Sequence, residues 1–183
     1  MAFEPGGIAD KLGNRYEGRW VAKQLLRLLN EEIRSVTVEA IGNDERGVDL
    51  WIQKNNGIRQ AQQCKARNGS RESWSIRDLG SRGVLSYLQF QLDRDSTIEF
   101  GFVSGIGAIL LHDICDSTRN SNQNPEDFFN YQIKAIGRDR REAFRQFCES
   151  LGLDSTQPGD RFARSFLFGW ISPPELSSLP RRV

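Results

Sequence analysis

The chain has 183 residues, 38% of them hydrophobic and 27% charged, with a formal net charge of +1. That is ample for one domain with a sizeable core and ordinary for a globular protein. The near-neutral balance removes any global electrostatic pull toward nucleic acid. Cys64, Cys115 and Cys148 are odd in number and widely spaced, so they give neither a disulfide framework nor a zinc pattern, and a reducing, cytoplasmic setting is expected. No basic-apolar leader opens the chain and no apolar run approaches membrane-spanning length, so no membrane partner is expected. His112 is the single histidine and sits beside Ile109-Leu110-Leu111, which argues against a histidine-based triad or metal site.

Met1 to Gly7 reads as a loose arm. A helix is expected from about Asp10 or Asn14 to Asn30. Its stripe is Glu17, Val21, Leu25 and Leu28, with Trp20 and Gln24 flanking the same side. Glu17 heads that stripe and is therefore aimed at the sheet. Asn14-x-x-Glu17 also resembles a capping box, a reading that requires the helix to begin at Asn14. Val36, Val38 and Ala40 alternate with Thr37 and Glu39 as a first strand, and Ile41 to Arg46 form a polar loop whose Asp44 and Glu45 lie just before the hairpin, within reach of an indirect metal contact, but read first as ordinary loop acids.

The stretch from Gly47 to Arg67 reads as a β-hairpin: Val48 to Gln53, a turn at Asn55-Asn56-Gly57, then Ile58 to Lys65, with Asn68-Gly69-Ser70 ending it. A two-residue loop would set Asp49 opposite Cys64. A three-residue loop, with Gly57 in the left-handed conformation, pairs Lys54 with Ile58 and sets Asp49 opposite Gln63, with Lys65 two residues along the same face. The three-residue register gathers a carboxylate, an amide oxygen and an ammonium. A hard Mg²⁺ wants oxygen ligands, and Asp49, Gln63 and the backbone carbonyl of Cys64 can supply them; Mn²⁺ is an acceptable substitute. Such a metal polarises a phosphate and makes hydroxide available near neutral pH, while Lys65 can hold the attacking water and stabilise the charge that develops. The plain alternative is an exposed hairpin carrying a salt bridge, since Asp…Gln-x-Lys alone is short and common. Between Arg59 and Arg82 there is a local excess of four positive charges, with Arg67, Arg71, Arg77 and Arg82 as candidate phosphate contacts beside an equally ordinary solvated basic face.

Trp74 to Arg94 is mostly helical, capped by Ser75 and interrupted near Gly80 and Gly83; its apolar face is Ile76, Leu79, Leu85, Leu88 and Leu92. Thr97 to Val103 is a strand with Ile98, Phe100 and Phe102 on one face. Ser104-Gly105-Ile106-Gly107 turns into a helix containing Ile109, Leu110 and Ile114, and its Gly-x-Gly is too short for a phosphate loop. After a polar loop from Thr118 to Asn124, Asn124-Pro125 starts a helix with Phe128, Phe129 and Ile136 on its apolar side. Arg138 to Leu151 is another helix, stopped at Gly152 and striped by Phe144, Phe147 and Leu151. Phe162 to Ile171 reads as a late strand that could pair with a partner domain. Residues 172–183 read as a linker toward a further, covalently attached domain, leaving 1–171 as the folded unit.

Asp49 followed by Gln63-Cys64-Lys65 resembles the PD-(D/E)XK nuclease signature, in the variant with Gln at the second acid that is familiar from Mrr-like restriction enzymes. The lead-in GGIADKLGNRYEGRWVAKQLL resembles the start of nuclease effector domains at the N-termini of bacterial anti-phage defence proteins. The resemblance is good over about Gly6 to Arg67 and looser from Trp74 to Ile171. It implies an α/β, restriction-endonuclease-like fold, with a mixed central sheet flanked by helices. It implies Mg²⁺-dependent cleavage of DNA, activated by homo-oligomerisation, with Glu17 matching the helix-borne acid that points at the metal. Two residues depart from the strict pattern: Val48 stands where Pro would precede Asp49, and Gln63 replaces the second acid, which lowers the negative charge of the site. The residues alone also accommodate RNA, or a nuclease scaffold that binds nucleic acid or oligomerises without cutting.

Overall fold

The structure, a computed structural model, describes residues 5–66, 73–121, 124–135, 137–153 and 168–171, with the backbone course alone for 5–14, 119 and 168–171. Helix α1 runs Pro5–Leu29 and is followed by strand β1, Ile33–Val38. A 3-10 turn at Gly42–Asp44 leads to the hairpin β2, Leu50–Lys54, and β3, Arg59–Lys65. Then come α2, Ile76–Ser81; α3, Val84–Arg94; β4, Glu99–Ser104; and α4, Ile109–Arg119. A single α turn at Pro125–Asp127, α5, continues as π-helical turns over Phe128–Lys134, before α6, Arg138–Ser150, and β5, Phe168–Ile171.

The strands form one mixed sheet in the order β1-β2-β3-β4-β5. β1, β2 and β3 are antiparallel neighbours, whereas β3–β4 and β4–β5 pair in parallel. β3 is thus the central strand, and its carboxyl end opens where an antiparallel neighbour begins and a parallel neighbour ends. In open α/β sheets ligand sites gather outside the carboxyl ends of the strands.

The two faces of the sheet bury different material. On one, α1 lays Tyr16, Trp20 and Val21 over Val36, Leu50, Cys64 and Val103. On the other, Trp51, Ala61, Phe100 and Phe102 pack against Ile76, Leu79, Leu85, Leu88, Leu111, Phe128, Phe144 and Phe147 from the remaining helices. The alternation of strand side chains between faces produces this split directly: Leu50 faces α1 and Trp51 faces the helical layer.

Several sequence readings hold locally. Ser75 caps α2 through a reciprocal capping box with Asp78, and Gly83, at φ +75°, breaks α2 from α3. Asn124 accepts from the Glu126 and Asp127 N–H groups ahead of Pro125, and Gly152, at φ +66°, ends α6. Others are corrected. Pro5 to Gly7 lie in α1 rather than in a loose arm, so Asn14 is well inside the helix and the capping-box reading of Glu17 fails. The buried stripe of α1 is Tyr16, Trp20 and Gln24, and Leu25 faces outward at 45% exposure. Ile133, absent from the expected apolar face, is buried with Phe128, and Ile136 lies outside the described residues. The polar loop expected from Thr118 begins later, because α4 extends to Arg119. The late strand pairs with β4 of its own sheet over Phe168–Ile171; residues 162–167, the linker 172–183 and Asn68-Gly69-Ser70 lie outside the described residues.

Candidate active site

The hairpin register decides which side chains meet. Lys54 N–H donates to the Ile58 carbonyl, Gly57 N–H donates to the Lys54 carbonyl, and Gly57 sits at φ +86°. This is the three-residue turn. The ladder runs from Gln53–Arg59 to Leu50–Gln62 and stops there; Asp49 lies one residue ahead of β2, and its N–H donates to the Gln62 carbonyl rather than continuing the register to Gln63. On β3, Ala61, Gln63 and Lys65 share one face and Gln60, Gln62 and Cys64 the other.

Past the last ladder pair, the Asp49 carboxylate takes over as acceptor: Cys64 N–H donates to Asp49 Oδ2 at 2.6 Å. That contact fixes the carboxylate against the end of β3. Burial pushes the Asp49 carboxyl above the usual carboxylate range, opposed by the Cys64 N–H and by the charge of Lys65. Gln63 is buried, and its Oε1 accepts no hydrogen bond among the described residues. A buried carbonyl oxygen that accepts no hydrogen bond costs about 1–3 kcal/mol.

Helix α1 reaches this end of the sheet because Trp20 is tied to β3: its Nε1 donates to Gln62 Oε1 at 2.7 Å, in a buried contact. Gln62 in turn donates to Gln60, and Gln60 to Glu99. One turn before Trp20, Tyr16 packs in the same cluster as Cys64, so α1 and β3 run in opposite senses and Glu17 arrives beside the hairpin end. Burial raises the Glu17 carboxyl, and Asp49 and Glu39 raise it further while Lys65 opposes them. Burial, followed by Asp49 and Glu17, also pushes the Cys64 thiol up, which leaves it an uncharged thiol near neutral pH. Glu17, Asp49, Cys64 and Lys65 are thus in mutual electrostatic reach, with Gln63 the residue just before Cys64 on the strand.

The loop that delivers Asp49 is held from behind by α3. Gln91 Nε2 donates to the carbonyls of Asn43 and Arg46, Arg94 donates to the Asn43 carbonyl and to Asp44, and Arg59 pairs with Asp44 from β3. Burial pushes the Asp44 carboxyl up, yet its hydrogen bonds from Arg94 and Arg59 outweigh this and hold it low. Asp44 is therefore a brace for the loop, as its reading as a loop acid implies. Gly47 adopts φ +69°, and a Cβ there would run into the Tyr87 ring on α3.

The basic candidates separate. Arg77 lines a shallow groove with Arg145, Gln146, Glu149 and Ser150, on the α2–α6 side. Arg82 lies over the Trp74 ring. Arg67 and Arg71 lie outside the described residues. Trp74 was not singled out by sequence reasoning, although it borders the site: its Nε1 donates to buried Ser104 at 2.8 Å, and Ser104 pairs with Lys65 across β3–β4. Tyr16 was also missed; its hydroxyl is buried without a partner among the described residues, and burial pushes its pKa up. The only signal for either was an aromatic residue adjacent to a candidate site segment.

The oxygen donors near the strand end are the Asp49 carboxylate fixed by the Cys64 N–H, the Glu17 carboxylate from α1 and the orphaned Gln63 amide oxygen, which lies on the face of β3 away from α1; oxygens of this kind are what a hard cation takes. Their raised proton affinities reflect negative charge held out of water, which a cation would relieve. No family model matches the chain, and no curated protein matches it.

Proposed function

We propose that the chain is a metal-dependent endonuclease of the restriction-endonuclease-like class, hydrolysing phosphodiester bonds of DNA. The observation that supports this reading is the end of the hairpin: the Asp49 carboxylate held by the Cys64 N–H, next to Gln63 and Lys65 on β3, with the Gln63 oxygen buried and unpartnered among the described residues. Asp49, Gln63, Glu17 and the Cys64 carbonyl would hold Mg²⁺ or Mn²⁺. When bound, the metal would supply Lewis acidity toward the phosphate and hydroxide near neutral pH.

The chain's own groups have separable tasks. Asp49 is anchored by the Cys64 N–H, so its free oxygen is presented in a fixed direction. Lys65 is near enough to lower the proton affinity of both acids, which places an ammonium where it can orient a water and offset charge growing on the phosphate. Burial around Gln63 and Asp49 strengthens each of these interactions by excluding water. DNA as substrate, and a role as the oligomerisation-activated effector domain of an anti-phage defence protein, rest on the resemblance of the hairpin and of the α1 segment.

Incubation of the purified chain with supercoiled plasmid tests the reading. Nicking or linearisation that requires Mg²⁺ or Mn²⁺, stops with chelator and is lost in Asp49→Ala is expected. Metal-independent cleavage, or cleavage retained by Asp49→Ala, overturns it. A second reading, a non-cutting scaffold that binds nucleic acid or oligomerises, is favoured by the neutral Gln63 in place of a second acid. Absence of cleavage together with unchanged calcium or magnesium titration profiles in wild type and Asp49→Ala would select it.

A further inference from the structure

Helix α1 carries two apolar faces, and the sheet covers only one. The buried face is Tyr16, Trp20 and Gln24. On the opposite side lie Gly18, Ala22, Leu25 and Leu29, all exposed, with Leu26 at their flank. Leu25, Leu26 and Leu29 are 45%, 62% and 78% exposed, a high concentration of large apolar surface on two turns of one helix. The spacing from Gly18 to Leu29 is four, three and four residues, the period of a helix-to-helix seam.

Gly18 adds an independent observation. It stands in the middle of a 25-residue helix, where glycine is the poorest helix former apart from proline. A Cβ built on it would meet nothing within 4 Å, so packing among the described residues gives no reason for its being small. Close approach by another helix would give one.

We infer that this face docks a second copy of the chain through an antiparallel pair of α1 helices. The stripe is complementary to itself in that orientation. A twofold axis between Lys23 and Gln24 sets Leu29 against Gly18 and Leu25 against Ala22 of the partner copy, large against small in every layer. The ends match in charge as well. Exposed Arg15 and Arg19 of one copy come toward the end of the other copy's helix, where Glu31 and Glu32 follow in the turn after Leu29 and Glu32 also pairs with its own Arg27, at both ends by symmetry. A parallel pair would instead stack Gly18 on Gly18, Leu29 on Leu29 and arginine on arginine. The helical contact spans about 22 Å, from residue 15 to the end of α1 at Leu29, at about 1.5 Å per residue. An interface of that length falls at the small end of specific interfaces, so a reversible, micromolar dimer is expected. The inference does not depend on the nuclease reading, because neither Glu17 nor any hairpin residue contributes to the seam.

Sedimentation of the full 183-residue chain across concentration tests it. A monomer–dimer equilibrium is expected, shifted to monomer by L25E/L29E with unchanged circular dichroism and melting temperature, since both side chains are solvent-exposed in the single copy. R15E/R19E should weaken association about tenfold, and adding E31K/E32K should restore it. Orientation is read by oxidation: a mixture of A22C and L25C should cross-link more than either variant alone. Wild type that stays monomeric to about 100 μM overturns the inference, as does a dimer insensitive to L25E/L29E. If those substitutions instead lower the melting temperature of a monomer, the face is covered by another part of the same chain, and the inference is equally overturned. Preferential self-cross-linking of L25C overturns the antiparallel orientation.

Discussion

Asp49 and Lys65 lie at the same strand ends but should fail differently. Asp49→Ala removes a ligand and the acceptor of the Cys64 N–H, so cleavage and metal binding should both collapse. Lys65→Ala should cut the rate by about 10²–10³ while metal affinity, read by calorimetry, stays nearly intact. Equal loss of metal binding in both variants would make Lys65 merely structural. The acids also make a stability prediction. Asp49 and Glu17 bind protons more tightly in the folded chain than in the unfolded chain, chiefly through burial. A carboxyl shifted in this sense favours folding fully only below its ordinary range, and that contribution is lost as pH rises through the raised folded value. At pH 7 without metal, both acids therefore weaken the fold. Asp49→Asn, which keeps an acceptor for the Cys64 N–H, should raise the metal-free melting temperature near pH 7, with the gain shrinking below about pH 4. Added Mg²⁺ should stabilise wild type and leave Asp49→Asn largely unmoved. A metal-free Asp49→Asn that melts lower than wild type at pH 7 would refute this account.

Among the elements, the hairpin and its loop position the site, and Gly47 is where they can be broken without touching a candidate ligand. An added methyl meets both an unfavourable φ of +69° and the Tyr87 ring. Gly47→Ala should therefore destabilise by about 1–3 kcal/mol and displace Asp49, whereas Gly57→Ala, at φ +86° with nothing within 4 Å of the added carbon, suffers the backbone strain alone. Denaturant titration of the two variants checks the order, and equal losses would show that the Tyr87 contact is dispensable. The same contrast explains what the sequence could show. Asn-Asn-Gly turn chemistry fixed the register, and through period-two alternation it fixed the faces of Gln63 and Lys65. Capping residues marked α2 and α5, and glycines marked the break at Gly83 and the end of α6. The rotation of α1 was not legible, because the helix is apolar on two sides. Periodicity cannot say which of Leu25 or Trp20 faces the sheet; the Trp20–Gln62 hydrogen bond decides it, and that is a contact between residues 42 apart. For the same reason Trp74 was missed, since its role depends on Ser104 from another strand. Of the basic segment, Arg77 lines the groove beside α6 and Arg82 lies over the Trp74 ring, while Arg67 and Arg71 lie outside the described residues.

At the scale of the whole molecule, charge and stoichiometry together limit what one copy can do. A net charge of +1 gives little attraction for DNA, and nonspecific affinity grows with the number of phosphates neutralised. The candidate site holds one scissile phosphate, so cutting both strands of a duplex needs two sites acting near one another. A single copy should therefore nick, with affinity that falls steeply as salt rises. Pairing through α1 would bring two sites together only above the dissociation constant of the dimer. Double-strand cleavage per active site should thus increase with protein concentration, and fusion to a tetramer-forming coiled coil should remove that dependence by raising the effective local concentration. L25E/L29E, distant in sequence from every hairpin residue, should retain nicking while losing the concentration-dependent linear product. The ratio of nicked to linear plasmid, followed over a dilution series, reads all three effects in one assay. Full-rate linearisation by the chain at high dilution would show that one copy suffices, and the requirement for assembly would then be wrong.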